Sequence, residues 1–104
     1  MADVAAIILT KNEERNIERC LRSIEGFAAR RIVVDSGSTD ATVSIARRLG
    51  AEVYVHAFEN YARQFNWGLE NTGSENRWVL RLDADEAFPA ELCSKLERIL
   101  DEHA

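Results

Sequence analysis

"RRIVVDSGSTDATVSIARRLGAEVYVH", residues 30–56, decides the fold. Its first seven residues are a short run rich in β-branched side chains, the signature of a strand buried on both faces. "GSTD" then turns the chain, and Ser38 or Asp40 is placed to cap a helix that carries Val43, Ala46 and Leu49 at helical spacing. Gly50 follows as a C′ glycine, and residues 51–56 form a second β-branched run. A strand, a helix and a strand in so few residues make a βαβ unit, which places its two strands parallel in one sheet.

The same alternation extends outward. "VAAIILT" (4–10) reads as a strand, after which Asn12 can cap a helix bearing Ile17, Leu21 and Ile24. Tyr61, Phe65 and Leu69 mark a third helix, and "RWVLRLD" (77–83) a fourth strand. Pro89 suits a first helical turn, and Leu92, Leu96, Ile99 and Leu100 outline the last helix. The fold class is therefore α/β: a Rossmann-like, three-layer αβα arrangement with a mostly parallel sheet of about four strands. Residues 1–104 carry no linker, repeat or low-complexity tract and are expected to form a single domain.

Composition narrows the function. With 46% hydrophobic and 30% charged residues the chain is of ordinary globular type. A net charge of −5 leaves no basic stripe to neutralise nucleic acid or an anionic lipid surface. Cys20 and Cys93 fit neither a CxxC pair nor a zinc pattern and are expected to serve as small core residues. The absence of a targeting segment makes the cytoplasm the default location.

Ligands of open parallel sheets bind beyond the carboxyl ends of the strands, where the strand order reverses. Three polar segments fall there: "TKNEERN" (10–16), "DSGSTD" (35–40) and "DADE" (83–86). Asp83 and Asp85 offer two oxygen ligands to a hard cation such as Mg²⁺ or Mn²⁺; alternatively Asp85 or Glu86 complements the N-terminus of the last helix. Asp35, beside Ser36, can accept from a pyrimidine N–H or a ribose hydroxyl, or can bond its own turn. Thr10 can flank a base and Glu13 can reach a ribose. Arg63 is a candidate contact for phosphate or base, with Gln64 and Asn66 beside an aromatic stripe of Tyr61, Phe65 and Trp67 that reads as core. His56 and His103 are assigned no role.

Electrostatic sign then links phosphate to metal. A diphosphate against two carboxylates meets repulsion of roughly 1 to 4 kcal/mol per contact near 4 Å, which a divalent cation reverses. Other nucleotide folds lack their loops: neither GxGxxG nor GxxxxGK[ST] is present. A phosphoacceptor receiver needs acids directly after the first strand, where Thr10-Lys11 stands.

"ILTKNEERNIERCLRSI" (8–24), "IVVDSGSTDATVSIARRLGAEVYV" (32–55) and "QFNWGLENTGSENRWVLRLDADE" (64–86), in that order, resemble the family 2 glycosyltransferases of GT-A fold. They are most similar to the branch of lipopolysaccharide core β-glycosyltransferases. The resemblance implies a nucleotide-sugar site, with UDP-sugar as the donor. Thr10, Asn12 and Glu13 would line base and ribose, Asp35 and Ser36 would meet the base, and Arg63 and Gln64 would lie near base and phosphates. Asp83 would touch ribose or metal-bound water, and Asp85 would hold Mg²⁺ or Mn²⁺ against the diphosphate. Two departures stand out: Phe65 occupies the place of a basic residue common in relatives, and Arg81 faces the same side as Asp83.

Enzymes of that family continue into a second half that supplies the acceptor site and the catalytic base. The resemblance therefore implies the N-terminal, donor-binding half, either a piece of a longer protein or a stand-alone nucleotide-binding unit, with no catalytic base to name. An incomplete sheet leaves an open edge and a bare apolar face, so a homodimer is expected. The competing expectation is a non-catalytic α/β interaction module whose acidic edge is structural. In the whole protein the acceptor would be a cell-envelope polysaccharide or lipid, and the location cytoplasmic, peripheral to the inner membrane.

Overall fold

A computed structural model describes residues 2–73 and 75–103. Four strands, β1 (Ala2–Thr10), β2 (Ala28–Asp35), β3 (Glu52–Val55) and β4 (Trp78–Asp83), alternate with four helices, α1 (Ile17–Ser23), α2 (Thr42–Arg48), α3 (Tyr61–Asn71) and α4 (Ala90–Glu102). All neighbouring strands are parallel, in the order β3-β2-β1-β4. The expected α/β class and strand count therefore hold, with strand ends displaced by no more than two residues.

Alternation along β1 divides the core. Val4, Ala6 and Ile8 face a cluster with Ile17, Cys20, Leu21 and Ile24 of the first connection, Ala46 of α2, and Cys93, Leu96 and Leu100 of α4. Ala5 and Ile7 face the opposite side with Ile32 and Val34, under Phe65, Trp67 and Leu69 of α3. Three helices thus cover one face and a single helix covers the other. The two cysteines are free thiols in the helical layer, as expected. Burial pushes the Cys20 thiol up to about 12, and the negative charges of Glu86, Asp85 and Asp83 add to the rise.

The unequal cover has a visible cost. Val79 and Arg81 pair with Ala5 and Ile7 and so share the α3 side, yet α3 packs over β1 and β2. Val79 is accordingly 41% exposed. On the other face α4 seats Leu96 and Leu100, while Leu92 and Ile99 of its expected stripe stay exposed.

Two expected helix caps are relocated. Asn12 does not cap α1, which starts only at Ile17; Asn12 instead adopts φ +53°, a left-handed conformation that asparagine tolerates. Asp40 lies one residue before the first position of α2 recognised as a cap, Ala41, yet its Oδ1 still accepts from the Thr42 N–H. Pro89 immediately precedes the first turn of α4.

Gly68 permits α3 to approach the sheet closely, since a Cβ there would lie 3.2 Å from Val34 Cγ2 and 3.3 Å from Ile7 Cγ2. Gly68→Ala should be close to neutral, because a helix-propensity gain of about 1 kcal/mol offsets the tight contact. Gly68→Val should lose about 1–3 kcal/mol through overpacking, measured by urea unfolding.

Candidate functional site

The register brings the strand ends together. Thr10 pairs with Asp35 on one side of β1, and Leu9 pairs with Asp83 on the other. α1 connects β1 to β2 on one face and α3 leads into β4 from the opposite face, so the strand order reverses at β1. A cleft of about 690 Å³ opens there, lined by Thr10, Lys11, Glu13, Ser36, Gln64, Asp83 and Asp85, with Phe58, Tyr61 and Arg81 among the remainder. Its location follows from topology, as open parallel sheets require.

Beneath it lies a buried carboxylate. Asp35, 1% exposed, accepts from Thr10 Oγ1 (2.7 Å) and Ser38 Oγ (2.6 Å) at Oδ1, and from the Gly37 and Ser38 N–H groups (2.9 and 2.7 Å) at Oδ2. Four bonds saturate a carboxylate. Burial raises its pKa, but the Ser38, Thr10 and Gly37 donors outweigh burial and hold it below the usual aspartate value. Ser38 Oγ in turn accepts from the Asn12 N–H, and Asn12 Oδ1 accepts from the Thr39 N–H. Glu13 N–H donates to Thr42 Oγ1, Ala41 N–H to Glu14 Oε2, and Lys11 Nζ to the Gly37 carbonyl. The segments after β1 and β2 are therefore laced into one platform. Glu14 is one of the laces.

The acidic turn after β4 has a different construction. Glu86 Oε1 accepts from the Asp83 N–H and the Glu86 N–H donates to the Asp83 carbonyl, so this third carboxylate closes its own turn. Arg19 pins the Asp85 carbonyl (3.1 Å) from α1, and Cys20 Sγ faces the Asp83 carbonyl. The alternative role expected for Asp85 and Glu86, at the N-terminus of the last helix, is not adopted: α4 begins at Ala90. Asp83 and Asp85 remain exposed at the cleft, an oxygen-only pair of the kind that suits Mg²⁺ or Mn²⁺. Among the described residues no group of three or more His, Cys, Asp or Glu side chains converges as a metal cage. Two carboxylates with the remaining positions left to phosphate and water match the habit of Mg²⁺.

Of the expected site residues, Thr10, Glu13, Ser36, Gln64, Asp83 and Asp85 line this cleft, whereas Asn12, Asp35 and Arg63 do not. Asn12 and Asp35 lie in the platform beneath it. Arg63 lines a separate depression of about 350 Å³ and pairs with Glu59 at 2.6 Å. Gln64 is buried and committed: its Nε2 donates to the His56 carbonyl and its Oε1 meets His56 Nδ1, both at 2.9 Å. His56, given no role by its sequence, stacks on Trp67 with ring centroids 4.4 Å apart. Tyr61 departs from its expected place in the core and stands 64% exposed at the cleft with Phe58, because it opens the first turn of α3, at the cleft, while Phe65, Trp67 and Leu69 further along the helix meet the sheet. Lys11 was also missed; no pattern in one sequence sets it apart from other surface lysines.

The family is shown by comparison. Residues 5–104 match the model of glycosyl transferase family 2, and the chain belongs to that family. An uncharacterised glycosyltransferase of Rickettsia bellii is 44% identical over 96 residues, spanning 92% of this chain and 32% of the relative. Among solved structures, the mannosyltransferase PcManGT of Pyrobaculum calidifontis in complex with GDP-Man and Mn²⁺ superposes with a TM-score of 0.74 and 27% identity, covering 91% of this chain and 31% of that one. Glucosyl-3-phosphoglycerate synthase from Mycobacterium tuberculosis, in complex with Mn²⁺, UDP and phosphoglyceric acid, superposes with a TM-score of 0.71 and 26% identity, covering 83% and 34%. The fold is that of the GT-A glycosyltransferases, and the chain spans about a third of the length of the proteins it matches.

Asp35→Asn should destabilise the chain by about 1–3 kcal/mol at neutral pH, because an amide that keeps its oxygen toward the Gly37 and Ser38 N–H groups turns its NH₂ toward the Thr10 and Ser38 hydroxyls, and the charge-assisted bonds from those hydroxyls are lost. A lowered folded-state pKa gives stability that is complete above the unfolded value, near 4, and is lost as pH falls through the folded value. Wild-type stability should therefore decline below about pH 4, more steeply than that of Asp35→Asn, as read by denaturant titrations across pH.

Proposed function

We propose that this chain is the donor-binding part of a sugar transferase, taking a nucleoside diphosphate sugar, with UDP as its nucleotide, at the cleft between the ends of β1 and β4. The observation that carries the reading is the cleft itself: two exposed carboxylates on one wall, and on the other a platform locked by Asp35. Asp85 would ligate Mg²⁺ or Mn²⁺, with Asp83 beside it touching the ion or its water and the ribose. The cation would supply the positive charge that lets a diphosphate approach these carboxylates and leave as a stable anion.

Thr10, Glu13 and Ser36 would form the floor for base and ribose, with Asn12 holding the loop in place. Asp35 would meet the base only if Ser38 or a neighbouring donor gave up its bond, so its first role is to shape the floor. Gln64 would act through His56, fixing the start of α3. Arg63 would reach phosphate only after leaving Glu59. In the whole protein we assign the reaction to inverting transfer of a hexose to a cell-envelope polysaccharide or lipid, on the cytoplasmic side and peripheral to the inner membrane. No helix among the described residues is long and apolar enough to cross a membrane. The motifs' resemblance to lipopolysaccharide core enzymes supports the acceptor class, and the GDP-Man, UDP and Mn²⁺ complexes of the structural neighbours support the donor class and the metal.

Calorimetry tests the reading: UDP affinity should depend on Mn²⁺ and fall by at least about tenfold in Asp85→Ala, the loss expected for one charged ligand. Equal UDP binding with and without metal would refute it.

A second reading, a self-associating interaction module, is favoured by one feature. β4 ends the sheet with its outer edge unpaired among the described residues, and Val79 is exposed beside it. On that reading sedimentation should reveal a homodimer that Val79→Lys disrupts and Asp85→Ala leaves intact; nucleotide binding would be absent.

A further inference from the structure

Arg81 is a cation on the same cleft wall whose two carboxylates are placed to hold one. It lies two residues before Asp83 on β4 and therefore on the same side of the sheet. Its Nη2 stands 3.9 Å from Asp83 Oδ1, and its guanidinium carbon stands 5.9 Å from the centroid of the Tyr61 ring. Arg81, Tyr61, Asp83 and Asp85 all line the one cleft. The ion pairs among the described residues include Asp83 but not Asp85. The two carboxylates are thus unequal among the described residues: Asp83 has a loosely placed counter-ion and Asp85 has none.

We propose that Arg81 is a positioning residue that makes divalent-metal binding conditional on the diphosphate. The inference rests on the donor-site reading above and adds an order of assembly to it. A metal arriving alone must displace the guanidinium from Asp83 and then tolerate it as a like charge at close range. A diphosphate removes both obstacles. Its oxygens give Arg81 a better partner, since a guanidinium fork matches phosphate in two parallel hydrogen bonds. Asp83 is then released to face the metal. Tyr61 offers the guanidinium a resting surface in either position through its ring face. By linkage, the nucleotide must tighten the metal by the same factor as the metal tightens the nucleotide. The arrangement would keep the acidic pair from sequestering free divalent ions.

The test measures Mn²⁺ binding to the 104-residue chain by electron paramagnetic resonance of free Mn²⁺, with and without UDP. It compares wild type, Arg81→Gln and Arg81→Lys, with thermal melts confirming that each folds. Arg81→Gln should bind Mn²⁺ alone about threefold to fivefold more tightly, the scale of one exposed ion pair, and UDP should then tighten Mn²⁺ less than in wild type. Arg81→Lys keeps the charge but not the fork, so Mn²⁺ alone should bind as weakly as in wild type, with a smaller response to UDP. A purely structural Arg81 would move neither quantity. If wild type shows coupled Mn²⁺ and UDP binding and Arg81→Gln changes neither metal affinity nor coupling, this inference is overturned and the donor site stands. If wild type binds no UDP even with Mn²⁺, the donor-site reading falls and this one with it.

Discussion

The Asp35 carboxylate is the constraint on which the rest of the site depends. It closes the turn after β2 through Gly37 and Ser38 and binds the end of β1 through Thr10. A carboxylate this deeply buried is tolerable only when its acceptor positions are met, and here four donors meet them. Asn12, Glu13 and Lys11 then attach the following loop to the same turn. Two segments that share no helix or strand are made rigid by one charge, and rigidity of that kind keeps a ligand from having to order its own site.

The opposite wall works by the reverse logic. Asp83 and Asp85 are exposed, one lightly paired and the other unpaired among the described residues, which leaves acceptor oxygens open where a cation belongs. Glu86 shows the contrast within the same turn: bonded back to the Asp83 N–H, it does for β4 what Asp35 does for β2. Of Asp35, Glu86, Asp83 and Asp85, then, the first two build the cleft and the last two face it, with Glu13 lining it from the loop after β1. Partners rather than residue type separate the roles, which is why "DADE" read alone offers three equal carboxylates.

Family and fold were legible because their signals are local. β-branched runs, helical spacing and the glycine after α2 mark βαβ units wherever they occur, and three ordered motifs carry the family resemblance. The coarse site was legible too, since a parallel sheet sends its strand ends to one edge. The allocation of work within that edge was not. Asn12 as a loop lace, Gln64 as a tether to His56, Tyr61 as an exposed wall and Arg63 turned toward Glu59 all depend on neighbours 4 to 27 positions away.

The sequence by itself determined the alternation of elements, the parallel sheet and the set of polar segments at its carboxyl edge, because each follows from periodicity and turn chemistry within a few residues. Only the tertiary structure decided which carboxylates are consumed in building the platform and which face the cleft. It also decided that α3 covers β1 and β2 but not β4, leaving Val79 and Arg81 open. The physical reason is the same in both cases: a hydrogen bond or a buried face needs a partner, and partners from distant segments meet only once the sheet has set its strand order and register.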